Sequence, residues 1–177
     1  MSTDFFTWDD EITSNGSDFT TLMPGTYEGV ITGIEKGRWQ RSGEMFNCPY
    51  AEISITVADD GNGKSALVKD NLFLSRKAEF KIAGFLMALG LKKKDEPIRA
   101  SKIDQAKGKN VKVVVTCQYK DPTTHKYVPL NAEQAANALE EGTTVFNNVK
   151  RYEPSEVVQE QDDGFSYNFD QFGYQGN

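Results

Sequence analysis

Between Lys69 and Gly90 the hydrophobic pattern changes its period, and that change limits the folds open to this chain. Up to Leu74 the apolar residues alternate as in a strand. From Phe80 onward, Ile82, Ala83, Phe85, Leu86, Met87 and Leu89 recur at the three- and four-residue spacing of a helix. Ser75 offers an N-cap oxygen to the free N–H groups at the start, and Gly90 is the residue that can adopt the left-handed stop. The apolar stripe is too wide for a helix lying on water, so a buried helix of about four turns is predicted. Most of what flanks it reads as strand.

Pro24-Gly25 leads into a first strand over 26–36, with apolar groups on both parities (Tyr27 and Ile31; Val30 and Ile34). Gly29 and Gly33 inside it suggest a bulge or sharp bend. A second strand over 50–58 alternates cleanly. Ala51, Ile53, Ile55 and Val57 face inward, and Tyr50, Glu52, Ser54 and Thr56 face outward. The run 59–64, Asp-Asp-Gly-Asn-Gly-Lys, is a hairpin turn by composition. A third strand over 65–74 places Ala66, Val68, Leu72 and Leu74 inside and Lys69, Asn71 and Phe73 outside. After the helix, 92–97 reads as a solvated connection. A fourth strand over 110–120 turns back into 126–130. A short helix over 131–141 is capped by Asn131 and ended by Gly142, and a last strand runs over 143–152.

Three strands, a helix and then further strands, joined by hairpin turns, argue for an antiparallel, mainly β domain. The element order is that of a five-stranded, partly open OB-fold-like barrel, with a helix between strands three and four and a short helix inserted before the last strand. The expected organisation is an acidic aromatic arm over 1–21, the barrel domain over 22–154, and a disordered acidic tail over 155–177.

The net charge of −6 conceals a segregation. Residues 1–23 carry five acids and no base, and residues 153–177 carry six acids and no base. All 20 Lys and Arg therefore lie between them, against the 15 remaining acids, a balance of +5. A basic body with two acidic arms differs in its choice of partners from a uniformly acidic protein. The tail also carries Phe165, Tyr167, Phe169, Phe172 and Tyr174 among its acids, with no branched aliphatic residue after Val158. Asp162, Asp163, Phe165, Phe169 and Phe172 are its candidate partner-binding residues.

Catalytic signals are missing from the sequence. His125 stands alone in a turn without metal-ligand spacing around it, and no glycine-rich loop ends in Lys-Ser or Lys-Thr before a helix. The acidic pairs at 9–10, 59–60 and 162–163 read as solvated charge in turns and arms. The expectation is a non-enzymatic protein without cofactor or metal. No apolar run is long enough to span a membrane, and no secretion signal opens the chain. Cys48 and Cys117 could form a disulfide, but two reduced thiols in a cytoplasmic chain is the preferred reading.

What the sequence does carry is a basic domain with aromatic residues at outward positions. Unpaired nucleic acid is held by cations that follow its phosphates and by flat side chains on which bases stack. Arg38, Trp39, Arg41 and Phe46 fall in the loop between the first two strands. Tyr50, Lys69 and Phe73 fall on the outer face of the second and third. Lys112, Lys120, Lys126 and Tyr127 fall on the fourth strand and the hairpin after it. In OB-folds these elements bind oligonucleotides. The candidate DNA-binding set is therefore Arg38, Arg41, Lys69, Lys112, Lys120 and Lys126 for phosphates, with Trp39, Tyr50, Phe73 and Tyr127 for bases.

Several runs resemble a bacteriophage family, long catalogued as a domain of unknown function and now read as single-stranded DNA-binding proteins. They are residues 23–28 (Met-Pro-Gly-Thr-Tyr-Glu), Ser42-Gly43 with Asn47-Cys48-Pro49, and residues 70–74 (Asp-Asn-Leu-Phe-Leu). Ala78-Glu79-Phe80-Lys81, Ala88-Leu89-Gly90 and the closing run 148–152 (Asn-Val-Lys-Arg-Tyr) complete the set. The resemblance spans roughly residues 22–154. It implies an OB-fold, a role in phage DNA replication or recombination in the host cytoplasm, and a tail that recruits partner proteins. Two departures stand out: the segment 131–141 is longer than the simple hairpin expected there, and the chain ends Gly-Asn rather than on a terminal Phe. The alternative is a protein-interaction adaptor that uses its acidic-aromatic arms and does not bind DNA.

Overall fold

The structure, a computed structural model, describes residues 21–58 and 65–157. The arm over 1–20, the turn over 59–64 and the tail from 158 onward lie outside the described residues, and with them Asp162, Asp163, Phe165, Phe169 and Phe172.

Six strands form one antiparallel sheet: β1 (Gly25–Arg38), β2 (Pro49–Ala58), β3 (Ser65–Phe73), β4 (Asn110–Lys120), β5 (Tyr127–Leu130) and β6 (Val145–Glu153). Helix α1 (Glu79–Ala88) separates β3 from β4, and α2 (Ala132–Glu140) precedes β6. The sequence suggested five strands. Six are present because residues 127–130, read as the return of a hairpin, form a ladder of their own with residues 117–120 of β4. The hydrogen-bonded order is β3-β2-β1-β4-β5, with β6 on β4 as well. Among the described residues β3 and β6 share no ladder, so hydrogen bonding does not close the sheet.

The bulge expected in β1 lies where the register jumps: Ile31 faces Ile55 and Gly33 faces Ser54, leaving Thr32 extra. One inserted residue switches which parity points inward, so Ile31 before it and Ile34 after it both reach the core side. That explains the apolar residues on both parities. The bend lets the first half of β1 pair with β4 and the second half with β2.

The core joins the inner faces of the strands to α1. Ile31, Ile53, Ile55, Val68, Leu72, Val111, Val113 and Val115 are fully buried with Phe85 and Leu86. Ile103, in a 3-10 segment (Ala100–Gln105), and Ala106, which caps that segment, also belong to it, within a stretch with no periodicity to reveal them. A smaller cluster packs Ala135 of α2 against Cys117 and Val145.

Both helix ends are built as their residues dictate. Ser75 accepts the Ala78 N–H at 3.3 Å, capping a 3-10 turn (Arg76–Ala78) that leads into α1. Gly90 takes φ +70°, while its N–H bonds to Met87 and that of Leu91 to Leu86, a Schellman closure. Asn131 and Gln134 form a reciprocal capping box on α2. One expectation fails. α1 is not buried all round: Phe80 is 78% exposed and Met87 is exposed too, because only the face bearing Phe85, Leu86 and Ala88 meets the sheet. Leu74, assigned to the inner face, also lies exposed past the end of β3.

Candidate nucleic-acid interface

The hairpin between β1 and β2 does not end at Arg38. The Trp39 N–H donates to Cys48 O at 3.0 Å and the Asn47 N–H to Trp39 O at 2.7 Å, carrying the ladder one pair further. Asn47 accepts a positive φ of 60° to close it, and Arg38 Nη1 donates to Asn47 O at 3.1 Å. Trp39 is therefore held on a fixed backbone although it lies outside the strand.

Its indole stands against the outer face of the neighbouring strands. Tyr50 and Phe73 are directly opposite each other in the β2–β3 register, with ring centroids 5.9 Å apart. The Trp39 ring lies 5.4 Å from Tyr50 and 5.1 Å from Phe73, nearly perpendicular to both. Such edge-to-face contacts favour a fixed geometry over a sliding one. Gly37 faces Tyr50 from β1, and a Cβ there would come within 3.3 Å of the phenol ring. Arg41 places its guanidinium carbon 5.2 Å from the indole centroid. All three rings are half-buried, so each keeps surface toward solvent. The inserted α2 does not cover them, since it packs on β4, β5 and β6.

Four of the candidate residues, Trp39, Arg41, Tyr50 and Phe73, are thus brought together. Lys69 lies on the same outer face, but its Nζ is 2.6 Å from Glu52 Oε1. That hydrogen bond and the charges of Glu52 and Glu35 raise the Lys69 pKa. Asn71 lies between Lys69 and Phe73, and its Oδ1 is shielded from water without a donor among the described residues.

Arg38 ends β1 beside Trp39, and the remaining candidates, Lys112, Lys120, Lys126 and Tyr127, lie elsewhere, on β4 and the hairpin after it. Tyr127 is exposed and its ring meets Phe146 of β6 edge-on at 5.8 Å. Lys120 pairs with Tyr127 in register, and Lys126 precedes it; both are exposed, with no ion pair among the described residues. The turn between them is held by Asp121, whose Oδ1 accepts the N–H groups of Thr123 and Thr124 at 2.7 and 2.9 Å. Those bonds hold its carboxyl below the usual range. Phe146 falls outside the residues the sequence singles out, although its alternation with inward Val145 marks it as an outward ring. Lys112 belongs to neither cluster. It bonds to the Glu156 carboxylate, which raises the lysine pKa and lowers that of the glutamate.

On the inner face of β3, beneath the ring cluster, lies a residue that sequence reasoning passed over. Asp70 has the inward parity of Val68 and Leu72, and its carboxylate is buried. Lys81 of α1 donates to Oδ1 at 2.6 Å and Tyr152 of β6 to Oδ2 at 2.5 Å.

Cys48 and Cys117 are both free thiols, and burial raises the Cys117 pKa. No cluster of His, Cys, Asp or Glu among the described residues could hold a metal ion, and no described helix is long and apolar enough to cross a membrane. No protein-family model matches the chain, and a search of curated proteins finds no relative.

Proposed function

We propose that this chain is a sequence-independent, non-enzymatic single-stranded DNA-binding protein of the bacteriophage type, built on a partly open OB-like barrel. The observation that carries the reading is the Trp39–Tyr50–Phe73 cluster, three half-buried rings on one outer surface with Arg41 beside them. Large rings left at a surface and fixed by their neighbours are what base stacking needs, and their preorganisation lowers the ordering penalty of binding.

The barrel reading rests on topology. β1 reaches β2 with one half and β4 with the other, α1 follows β3, and β6 returns beside β3. In this reading β5 and α2 are an insertion in the connection between the last two barrel strands. The rings then sit on the face and loop by which such barrels engage oligonucleotides. The runs that resemble the phage family support the same assignment. They open β1, close its loop, end β3, bound α1 and fill β6. A role in phage DNA replication or recombination, with partners recruited by the acidic tail, follows from that resemblance.

Phosphate contacts in this reading fall to Arg38 and Arg41 near the rings, and to Lys120 and Lys126 beside Tyr127. Lys69 and Lys112 would each exchange a carboxylate for a phosphate. The test is oligo-dT binding across a salt series. Affinity is expected to fall steeply as salt rises, and Trp39→Ala to weaken it by about 1–3 kcal/mol with little change in stability. Full affinity in Trp39→Ala would reject the stacking role. Absence of binding by the native protein would favour an adaptor that meets other proteins.

A further inference from the structure

Phe80 occupies the first turn of α1 and is 78% exposed among the described residues. Phe46, near the tip of the β1–β2 loop, is 61% exposed. Among the described residues neither ring pairs with another ring. A single exposed phenyl group is ordinary. Here two of them belong to the segments that meet at one junction.

The junction joins the loop to the start of the helix. Lys77 bonds to Glu44, tying the loop tip to the 3-10 turn, and the Leu74 N–H donates to Pro49 O at 2.8 Å. Phe80 therefore follows Phe73 by only seven residues, a path of at most about 25 Å even if fully extended. The hairpin carries Arg38 and Arg41 and the 3-10 turn carries Arg76 and Lys77, against the two carboxylates Glu44 and Glu79 that pair there. The two ion pairs are solvent-exposed, with the Arg76 side chain 93% accessible, so a phosphate can replace either carboxylate with little loss.

We propose that a strand bound at Trp39 continues over the loop junction onto α1, with Phe46 and Phe80 as outer stacking platforms for unpaired bases. This rests on the single-strand reading above and lengthens its site. Arg41 over the Trp39 ring, with Arg76 and Lys77 on the turn that the loop tip contacts, favours a nucleic-acid strand over a protein partner here.

The experiment compares the full chain and its variants on oligo-dT of about 5 and about 15 nucleotides, lengths that bracket the usual site of one such barrel. Phe80→Ala is expected to weaken the longer oligonucleotide about tenfold and leave the shorter one unchanged. Phe80→Trp should restore the affinity, and its indole should be quenched by the longer oligonucleotide alone. Phe46→Ala should repeat the length-dependent loss. Native affinity of Phe80→Ala at both lengths would overturn the extension, as would a change in sedimentation mass with DNA binding intact, which would make the face a protein contact. If the native protein binds neither length, or Trp39→Ala binds both fully, the parent reading has failed instead.

Discussion

The phenol of Tyr152 donates to Asp70 Oδ2 at 2.5 Å across the seam where β3 and β6 lie side by side without a ladder. Lys81 donates to the other oxygen of the same carboxylate from α1. One buried acid thereby links two strands that backbone hydrogen bonds leave apart, and ties both to the helix. Phe85 packs against the Tyr152 ring at 4.9 Å and completes the joint.

Replacing Tyr152 by Phe removes one charge-assisted bond and leaves Asp70 half satisfied. A loss of about 1.5–3 kcal/mol is expected, seen as a lower urea midpoint at unchanged slope. Burial first, then the charge of Asp70 and the bond to it, push the Tyr152 phenol well above its ordinary range. A raised folded pKa contributes stability that is complete below the unfolded value near 10, and that is lost as pH rises from there through the folded value. The native protein should therefore lose stability more steeply than Tyr152→Phe above about pH 10. Parallel alkaline profiles would refute this role of the phenol.

Gly29 of β1 pairs with Val57 of β2. A Cβ there would meet Ile55 Cγ2 at 2.7 Å and the Thr56 carbonyl oxygen at 3.2 Å. Ile55 is fully buried and cannot swing aside. Gly29→Ala should cost about 1–3 kcal/mol by overpacking. A thermal melt indistinguishable from that of the native protein would show that the strands separate more easily than this contact implies.

The first residues of the stretch expected to be a disordered tail, Ser155 and Glu156, are instead anchored. Ser155 Oγ donates to Glu28 Oε2 at 2.6 Å, the Glu156 N–H donates to Glu28 Oε1 at 2.8 Å, and the Glu156 carboxylate takes Lys112. A truncation should therefore remove 158–177 and keep these contacts. If the tail competes with phosphates, that variant binds oligo-dT more tightly at low salt, and the gain fades as salt screens it. Unchanged or weaker binding would remove the competition.

Much of this architecture was legible. The alternation of 51, 53, 55 and 57, and of 111, 113, 115 and 117, marks the buried faces because a strand turns every second side chain inward. Asn131 and Gly142 bounded α2 through chemistry local to its ends. The outward parity of Tyr50 and Phe73 placed the rings correctly. What failed was long-range. Helical period locates apolar residues around α1 but does not say how much of its circumference the sheet covers, so Phe80 and Met87 were assigned to the core. Asp70 interrupts an apolar face, and its partners lie 11 and 82 residues away. Lys112 and Glu156 are likewise joined only by the fold.

The most direct test of the central claim is a fluorescence titration of a Trp8→Phe protein, in which Trp39 is the sole indole, against oligo-dT. Base stacking on the Trp39–Tyr50–Phe73 surface predicts saturable quenching that weakens with salt. An emission left unchanged by an oligonucleotide that demonstrably binds would place the strand elsewhere and contradict the account.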